Sequence, residues 1–236
     1  MIMLTGYYSF SHKRPEPDFH MTYHTEDCEY CYELQNGVPP RIYDTYTNGR
    51  SRLLHWTPDF RVWPSISPIL HGHLLIVPTS HVKSFAQLTK EHRASLASLI
   101  SHLQDKWYIG TQYIIFEHGV GLHEMGGCGI SHAHLHILPV SPEQIDTVYK
   151  YFIQSVDQAD DSGTCSSFDN FFDDCADNKS YIFVKAKDEK LLYVYSSKIP
   201  SQFLRKFMSR IVTGRDSDWR QLENRETFNS MTISGA

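Results

Sequence analysis

Apolar and polar positions recur along the chain with periods that mark out most of its elements. FRVW (60–63) reads as a short strand, and HLLIVP (73–78) is a compact apolar run of the kind a buried strand shows. Between residues 90 and 107, Leu96, Ile100, Leu103 and Trp107 fall at helical spacing. QYIIFE (112–117) predicts another strand, and HAHLHILPV (132–140) alternates as a half-buried strand does. The glycine-rich stretch HGVGLHEMGGCGIS between them predicts a loop. Upstream, RIYDTYTNGRSRLLHW (41–56) predicts a β-hairpin, because Asn48-Gly49 between β-prone runs is a type I′ turn signal. Residues 1–26 lack periodicity and contain Pro15 and Pro17, which predicts an irregular arm.

Beyond Val140 the character changes. Pro142 opens an expected helix over 142–156. Residues 157–178 carry seven aspartates and predict a solvated loop. A calcium-binding EF-hand is excluded there, since the twelfth position counted from Asp157 is Phe168 rather than glutamate. YIFVKAKDEKLLYVYS (181–196) predicts a hairpin turning at Asp188-Glu189, and SQFLRKFMSRIV (201–212) an amphipathic helix capped by Gly214. The tail from 215 onward is polar. Strands, a helix and more strands in this order predict an α+β fold around one antiparallel sheet.

Composition narrows the function classes. Of 236 residues, 41% are apolar and 21% charged, which is ordinary for a globular protein. No apolar run approaches the roughly 20 residues that span a membrane, and the N-terminus lacks the pattern of a signal peptide. A cytoplasmic protein without a membrane partner is expected. The net charge of -5 argues against stable nucleic-acid binding but leaves room for a small anionic ligand at a local site. Five cysteines cannot all pair internally, and Cys165 and Cys175 are assigned no role.

The fourteen histidines direct attention to His132-Ala133-His134-Leu135-His136. On a strand, His132, His134 and His136 share one face. Neutral imidazole is a good nucleophile near neutral pH, and its neighbours can donate to phosphate oxygens. The preceding Gly126-Gly127-Cys128-Gly129 can bring backbone N–H groups to a phosphate. A solvent-facing strand or a pure metal site are the alternatives. Cys28-x-x-Cys31 by itself is a redox pair, half a metal site or chance.

His-Ala-His-Leu-His-Ile-Leu resembles the signature of the histidine triad (HIT) superfamily. Ser65-Ile66-Ser67-Pro68 followed by Gly72-His73-Leu74-Leu75-Ile76-Val77-Pro78-Thr79-Ser80-His81 is similar to the same family's upstream block, and Phe116-Glu117-His118-Gly119 to its strand end. The likeness runs from about residue 27 to 140. It implies a half-barrel of antiparallel strands with a helix as the core (27–140), preceded by the arm (1–26) and followed by an α+β extension (141–236). It implies attack by His134 on the α-phosphate of a nucleotide or nucleotide conjugate, with His132 and His136 completing the triad and His136 contacting phosphate or leaving group. Ser65, Glu117, His118, Gly127, Cys128 and Gly129 then fall at substrate-binding positions. Ser65 replaces an acid, Glu117-His118 replace an asparagine and Cys128 replaces a glutamine. Cys128 is also similar to the approach loop of the galactose-1-phosphate uridylyltransferase branch. The retained His136 favours a hydrolase over a nucleotidyltransferase, and a non-catalytic nucleotide-binding protein is the rival from another class. The resemblance further implies a structural zinc held by Cys28, Cys31, His81 and His132, with His24 a competing ligand. Homodimers are common in the family. His73 reads as a core histidine bonded to backbone. The tail, with Trp219, Arg220 and Arg225, could reach the cleft and select the leaving group, and surface charges on a C-terminal helix and tail are the alternative.

Overall fold

The computed structural model describes residues 28–121, 129–156, 159–175, 179–221 and 224–233. The expected arm, His24 and the loop residues Gly127 and Cys128 lie outside them. Helix α1 (Glu29–Asn36) starts on Cys28, whose sulfur accepts from Cys31 N, and stops at Gly37 in the left-handed conformation.

The hairpin expected over 41–56 does not form. A 3₁₀ turn, Arg41–Tyr43, runs into the short helix α2 (Asp44–Thr47). Asn48 and Gly49 do adopt the positive φ of a type I′ turn, 54° and 65°, but they terminate a helix: Asn48 N–H donates to Asp44 O at 2.7 Å. The deciding contact is remote in sequence. Tyr43 and Tyr46 are buried, and Tyr46 packs on Phe228 with ring centroids 5.0 Å apart. Only β1 (His55–Trp56) of this region is strand.

The next elements follow the apolar pattern: β2 (Phe60–Pro64), β3 (Leu74–Pro78), α3 (Lys90–Trp107, capped by Thr89) and β4 (Tyr113–Gly119). Strand β5 covers Leu135–Pro139, three residues shorter at its start than the alternation predicts. Ala133 N–H donates instead to Val82 O at 2.7 Å, so the segment carrying His132 leaves the sheet and pairs with the loop after β3. Helix α4 (Pro142–Tyr151) opens with a capping box between Ser141 and Gln144.

The acidic stretch is not a loop. It contains β6 (Asp161–Cys165) and α5 (Phe168–Asp174). Phe171 and Phe172 are buried while Asp173 bonds Arg93 of α3 at 2.7 Å, so two aromatics and an ion pair outweigh the aspartates. Strands β7 (Tyr181–Ala186) and β8 (Leu191–Tyr195) form the expected hairpin, and α6 (Phe203–Thr213) ends on Gly214. The tail adds a 3₁₀ turn, Trp219–Gln221, and α7 (Arg225–Ile233), which buries Phe228 and Met231.

All strands join one antiparallel sheet in the order β1-β2-β3-β5-β4-β7-β8-β6. Its faces separate cleanly by the period of two. Ile115, Leu135 and Ile137 pack under Leu96, Leu99 and Leu103 of α3. Ile114, Phe116 and Leu138 face the other way, under Val148 of α4 and Leu204 and Met208 of α6. Burying each such side chain contributes roughly 1.5–3 kcal/mol. His136 lies on the second face, so the extension is packed beside the triad.

Candidate active site

Two cysteines and two histidines converge where α1 meets the segment before β5. The ligand atoms of Cys28, Cys31, His81 and His132 all lie within 4.8 Å of one another. His132 Nδ1 is 3.6 Å from Cys28 Sγ and 3.5 Å from Cys31 Sγ, and His81 Nδ1 is 3.2 Å from Cys31 Sγ. His132 Nε2 is 2.9 Å from Pro78 O, which only accepts, so the proton sits on Nε2 and the Nδ1 lone pair faces the sulfurs. Hydrogen bonding from Cys31, then from His132, pulls the Cys28 thiol down to about 3 against burial.

The triad histidines are held in single tautomers in the same way. His134 Nδ1 is 2.8 Å from His132 O, so it carries the proton and donates. The Nε2 lone pair is thereby left for the cleft that His134 lines. Burial pulls His134 down to about 4, so the imidazole is neutral near pH 7. Beyond it, Ile69 N–H donates to His73 Nδ1 at 3.1 Å, and His73 Nε2 is 2.9 Å from His136 Nδ1. His73 therefore carries its proton on Nε2 and donates to His136, whose own proton is on Nε2. Burial holds both rings well below the usual histidine range, so each is neutral. His136 is stacked on Phe116 with centroids 4.5 Å apart and 3° between planes. His73 does bond backbone, as expected, and in addition fixes the tautomer of His136.

The remaining expected site residues divide. Ser65 lines the cleft, donating to Ile66 O and accepting from Arg205 at 3.4 Å. Glu117 does not reach it. Its carboxylate points to the α3 face, where it accepts from Phe85 N–H at 2.9 Å and Tyr181 O–H at 2.7 Å, and burial pushes it up to about 8. Strand alternation is the reason: the register that pairs Phe116 with His136 turns residue 117 away. His118, two residues after Phe116 on β4, shares the face of Phe116 and lies close enough to His134 to feel its charge. His118 is 7% exposed, its Nδ1 has no hydrogen-bond partner among the described residues, and burial pulls it down to about 4. Gly129 is described and has a φ of 93°.

Apart from Trp219, the other cleft residues carry no sequence signal of their own. Tyr30 of α1 meets the His134 ring edge-on at 5.4 Å. Arg52 is buried in a two-pronged bond to Glu33, both at 2.8 Å, with its guanidinium 4.7 Å over Trp63. Tyr43, Gln202, Arg205 and Trp219 complete the wall. The structure bears out the reach of Trp219 to the cleft, whereas Arg225 bonds Asn48 at an exposed position.

Residues 48–143 match the family model of the HIT domain, which spans this triad. The matched residues lie within the α+β architecture expected from the sequence. Adenosine 5′-monophosphoramidase HINT3 from Xenopus tropicalis is 30% identical over 88 residues, which are 37% of this chain and 58% of that protein, so the match spans less than two thirds of the relative. A zinc-bound histidine triad family protein from Mycobacterium smegmatis is 17% identical over 49% of this chain and 76% of its own, with a TM-score of 0.35. A histidine triad nucleotide-binding protein from Candida albicans is 14% identical over 54% and 95%, with a TM-score of 0.36. No helix among the described residues is long and apolar enough to cross a membrane.

Proposed function

We propose that the protein hydrolyses a nucleotide conjugate at its α-phosphate through a nucleotidyl-His134 intermediate. The observation that carries the reading is the 2.8 Å bond from His134 Nδ1 to His132 O, which commits the Nε2 lone pair to the cleft. Nε2 forms the bond to phosphorus while the bond to the leaving atom breaks. The Nε2–H of His136 donates to a phosphoryl oxygen or to the leaving group. His118 supplies a further bond from the opposite strand, and Ser65 meets the sugar. Water then attacks phosphorus and gives up a proton to solvent, the Nε2–phosphorus bond breaks with its electron pair returning to Nε2 while the Nδ1 proton stays bonded to His132 O, and the nucleotide is released. Charge growing on the phosphoryl oxygens is met by preset donors. The name of the Xenopus relative fits a nucleoside phosphoramidate as one substrate.

Cys28, Cys31, His81 and His132 are proposed to hold zinc. Tetrahedral bonds of about 2.3 Å to sulfur and 2.0–2.1 Å to nitrogen put ligands roughly 3.3–3.8 Å apart. Three sulfur–nitrogen separations of 3.2–3.6 Å are close to that range, and all four ligand atoms lie within 4.8 Å of one another. A bound zinc would clamp α1 to the residue whose carbonyl orients His134, without touching substrate.

The test is to incubate the protein and its His134→Ala variant with nucleoside phosphoramidates, dinucleoside polyphosphates and nucleotide sugars. Released mononucleotide, and a nucleotidyl adduct in the intact mass, are expected from the unsubstituted protein alone. Full turnover by His134→Ala would refute the mechanism. Binding without product or adduct would move the protein to a non-catalytic nucleotide binder, and an adduct discharged only by an added acceptor to a transferase.

A further inference from the structure

A cation from the extension stands in the cleft beside the triad. Arg205 of α6 lines the cleft together with Ser65, His134 and His136, yet it lies beyond the residues, 48–143, that match the family model. Arg205 is 3% exposed, a depth at which arginine is rare. Its guanidinium donates to Ser65 Oγ at 3.4 Å, to Ser217 Oγ at 3.1 Å and to Ser67 O. Those three oxygens are neutral, so the bonds fix the guanidinium in place without cancelling its charge.

The turn that Arg205 clamps is itself unusual. Ser67 is fully buried and has a φ of 53°, a left-handed conformation that costs a serine energy and that clusters at ligand sites. Ser65 gives its own proton to Ile66 O and takes the Arg205 N–H on its oxygen. A carboxylate at position 65 would form an ion pair with Arg205, whereas serine leaves the guanidinium charge uncancelled from that side. The acids of the cleft wall have other partners: Glu33 is matched by Arg52, and Glu29 accepts from Tyr43 O–H. The charge of Arg205 adds to burial in holding His73, His134 and His136 neutral, so it acts across the whole triad side of the cleft.

We propose that Arg205 completes the phosphate subsite: its guanidinium takes the anionic oxygens of a nucleotide phosphate lying against His134 and His136. Neutral imidazoles offer hydrogen bonds but no charge, and an anion moved from water into a neutral pocket loses hydration that such bonds alone do not replace. A guanidinium supplies both the charge and charge-assisted bonds to phosphate oxygens. The anion affinity of the cleft then comes from the extension and not from the strand that carries the triad. This deepens the hydrolytic reading by giving it a further binding residue, and its test reads binding, which does not require turnover.

The experiment measures binding of AMP and of adenosine, which lacks the phosphate, to the full chain, to Arg205→Gln and to Arg205→Lys. The melting temperature reports the fold of each. The unsubstituted protein should bind AMP about tenfold or more tighter than adenosine. Arg205→Gln should lose that preference while its affinity for adenosine stays within about twofold, and Arg205→Lys, which keeps the charge, should retain most of it. A residue that only held the turn in shape would lower both affinities together. Equal binding of the two probes by the unsubstituted protein, or an intact preference in folded Arg205→Gln, would overturn the proposal. Should Arg205→Gln fail to fold, the unsubstituted protein labelled with ¹⁵N-arginine decides. The guanidinium signal that disappears in Arg205→Lys should shift on adding AMP and not on adding adenosine, and a signal unmoved by AMP would overturn the proposal. An AMP preference that depends on Arg205, in a protein that turns over no nucleotide conjugate, would uphold it while the hydrolytic reading fails.

Discussion

His73 Nε2 lies 2.9 Å from His136 Nδ1, and that bond decides which nitrogen of His136 faces the cleft. His73 is itself committed by Ile69 N–H on its other nitrogen. The chain from backbone amide to His73 to His136 therefore sets a proton donor toward the cleft without any charge. Replacing His73 by Ala frees His136 to take either tautomer. The expected result is a fall in kcat of roughly tenfold or more, a barrier increase of about 1.4 kcal/mol, with KM little changed. His73→Gln, which keeps a donor near Nε2, should recover part of the loss. A drop in KM terms alone, or no rescue by Gln, would reduce His73 to a packing residue.

Glu117 gives a pH-dependent prediction of opposite sign to the usual carboxylate. Burial raises its folded-state value from 4.5 to about 8. Between these values the folded chain keeps a proton that the unfolded chain has released. Stability is therefore full below about pH 4.5 and is lost as pH rises through about 8. Glu117→Gln keeps an acceptor for Phe85 N–H and a partner for Tyr181, and has no charge to desolvate. It should be more stable than the parent by about 2 kcal/mol at pH 8, with no difference near pH 4. Because the side chain points away from the cleft, activity should be retained. Denaturant melts at the two pH values check the first point, and a variant that loses turnover while staying folded would contradict the second.

How much of this was legible in the sequence follows the same division. Strands β2 to β5 and helix α3 were readable because their burial comes from local periodicity, and the triad was readable because alternation alone puts His134 and His136 on one face. The helix at Asp44–Thr47 was not. Asn48-Gly49 specifies positive φ, which serves a hairpin or a helix end equally, and the choice was made by Phe228 far along the chain. In the acidic stretch seven aspartates hid Phe171 and Phe172, since hydration of exposed carboxylates does not oppose burial of the opposite helix face. Glu117 and His118, as neighbours on a strand, point to opposite faces, so the motif Phe116-Glu117-His118-Gly119 cannot bring both to the cleft. The His73–His136 bond joins residues 63 positions apart and leaves no local trace.

The Cys28, Cys31, His81 and His132 cluster predicts a metal-dependent fold. Protein purified without chelator should carry about one zinc per chain by elemental analysis, and Cys28→Ser with Cys31→Ser should carry none. Stripping the metal should lower the melting temperature by about 5 °C or more, because binding free energy at such a site is folding free energy. Any turnover should fall with it, since His132 supplies the carbonyl that orients His134. A metal-free parent with unchanged melting temperature and turnover would make the cluster a group of ordinary thiols and imidazoles.

The last prediction concerns the extension as part of the sheet. Strand β4 pairs with β5 on one side and, over six residue pairs from Ile114–Ala186 to Gly119–Tyr181, with β7 on the other. Deleting residues 141–236 would bare that edge along a strand buried at all seven positions, and would uncover Ile114, Phe116 and Leu138 where α4 and α6 now lie. An exposed apolar edge recruits another strand. The truncated chain should therefore form oligomers or precipitate at micromolar concentration, read by light scattering. Met208→Ala is the gentler probe. Met208 is fully buried against that face, and the cavity should cost about 2–5 kcal/mol in a single cooperative transition. A truncated chain that stays monomeric with the parent's melting temperature, or a Met208→Ala variant that melts in two steps with the triad half unchanged, would mean that the extension is an appendage and that the sheet is two independent units.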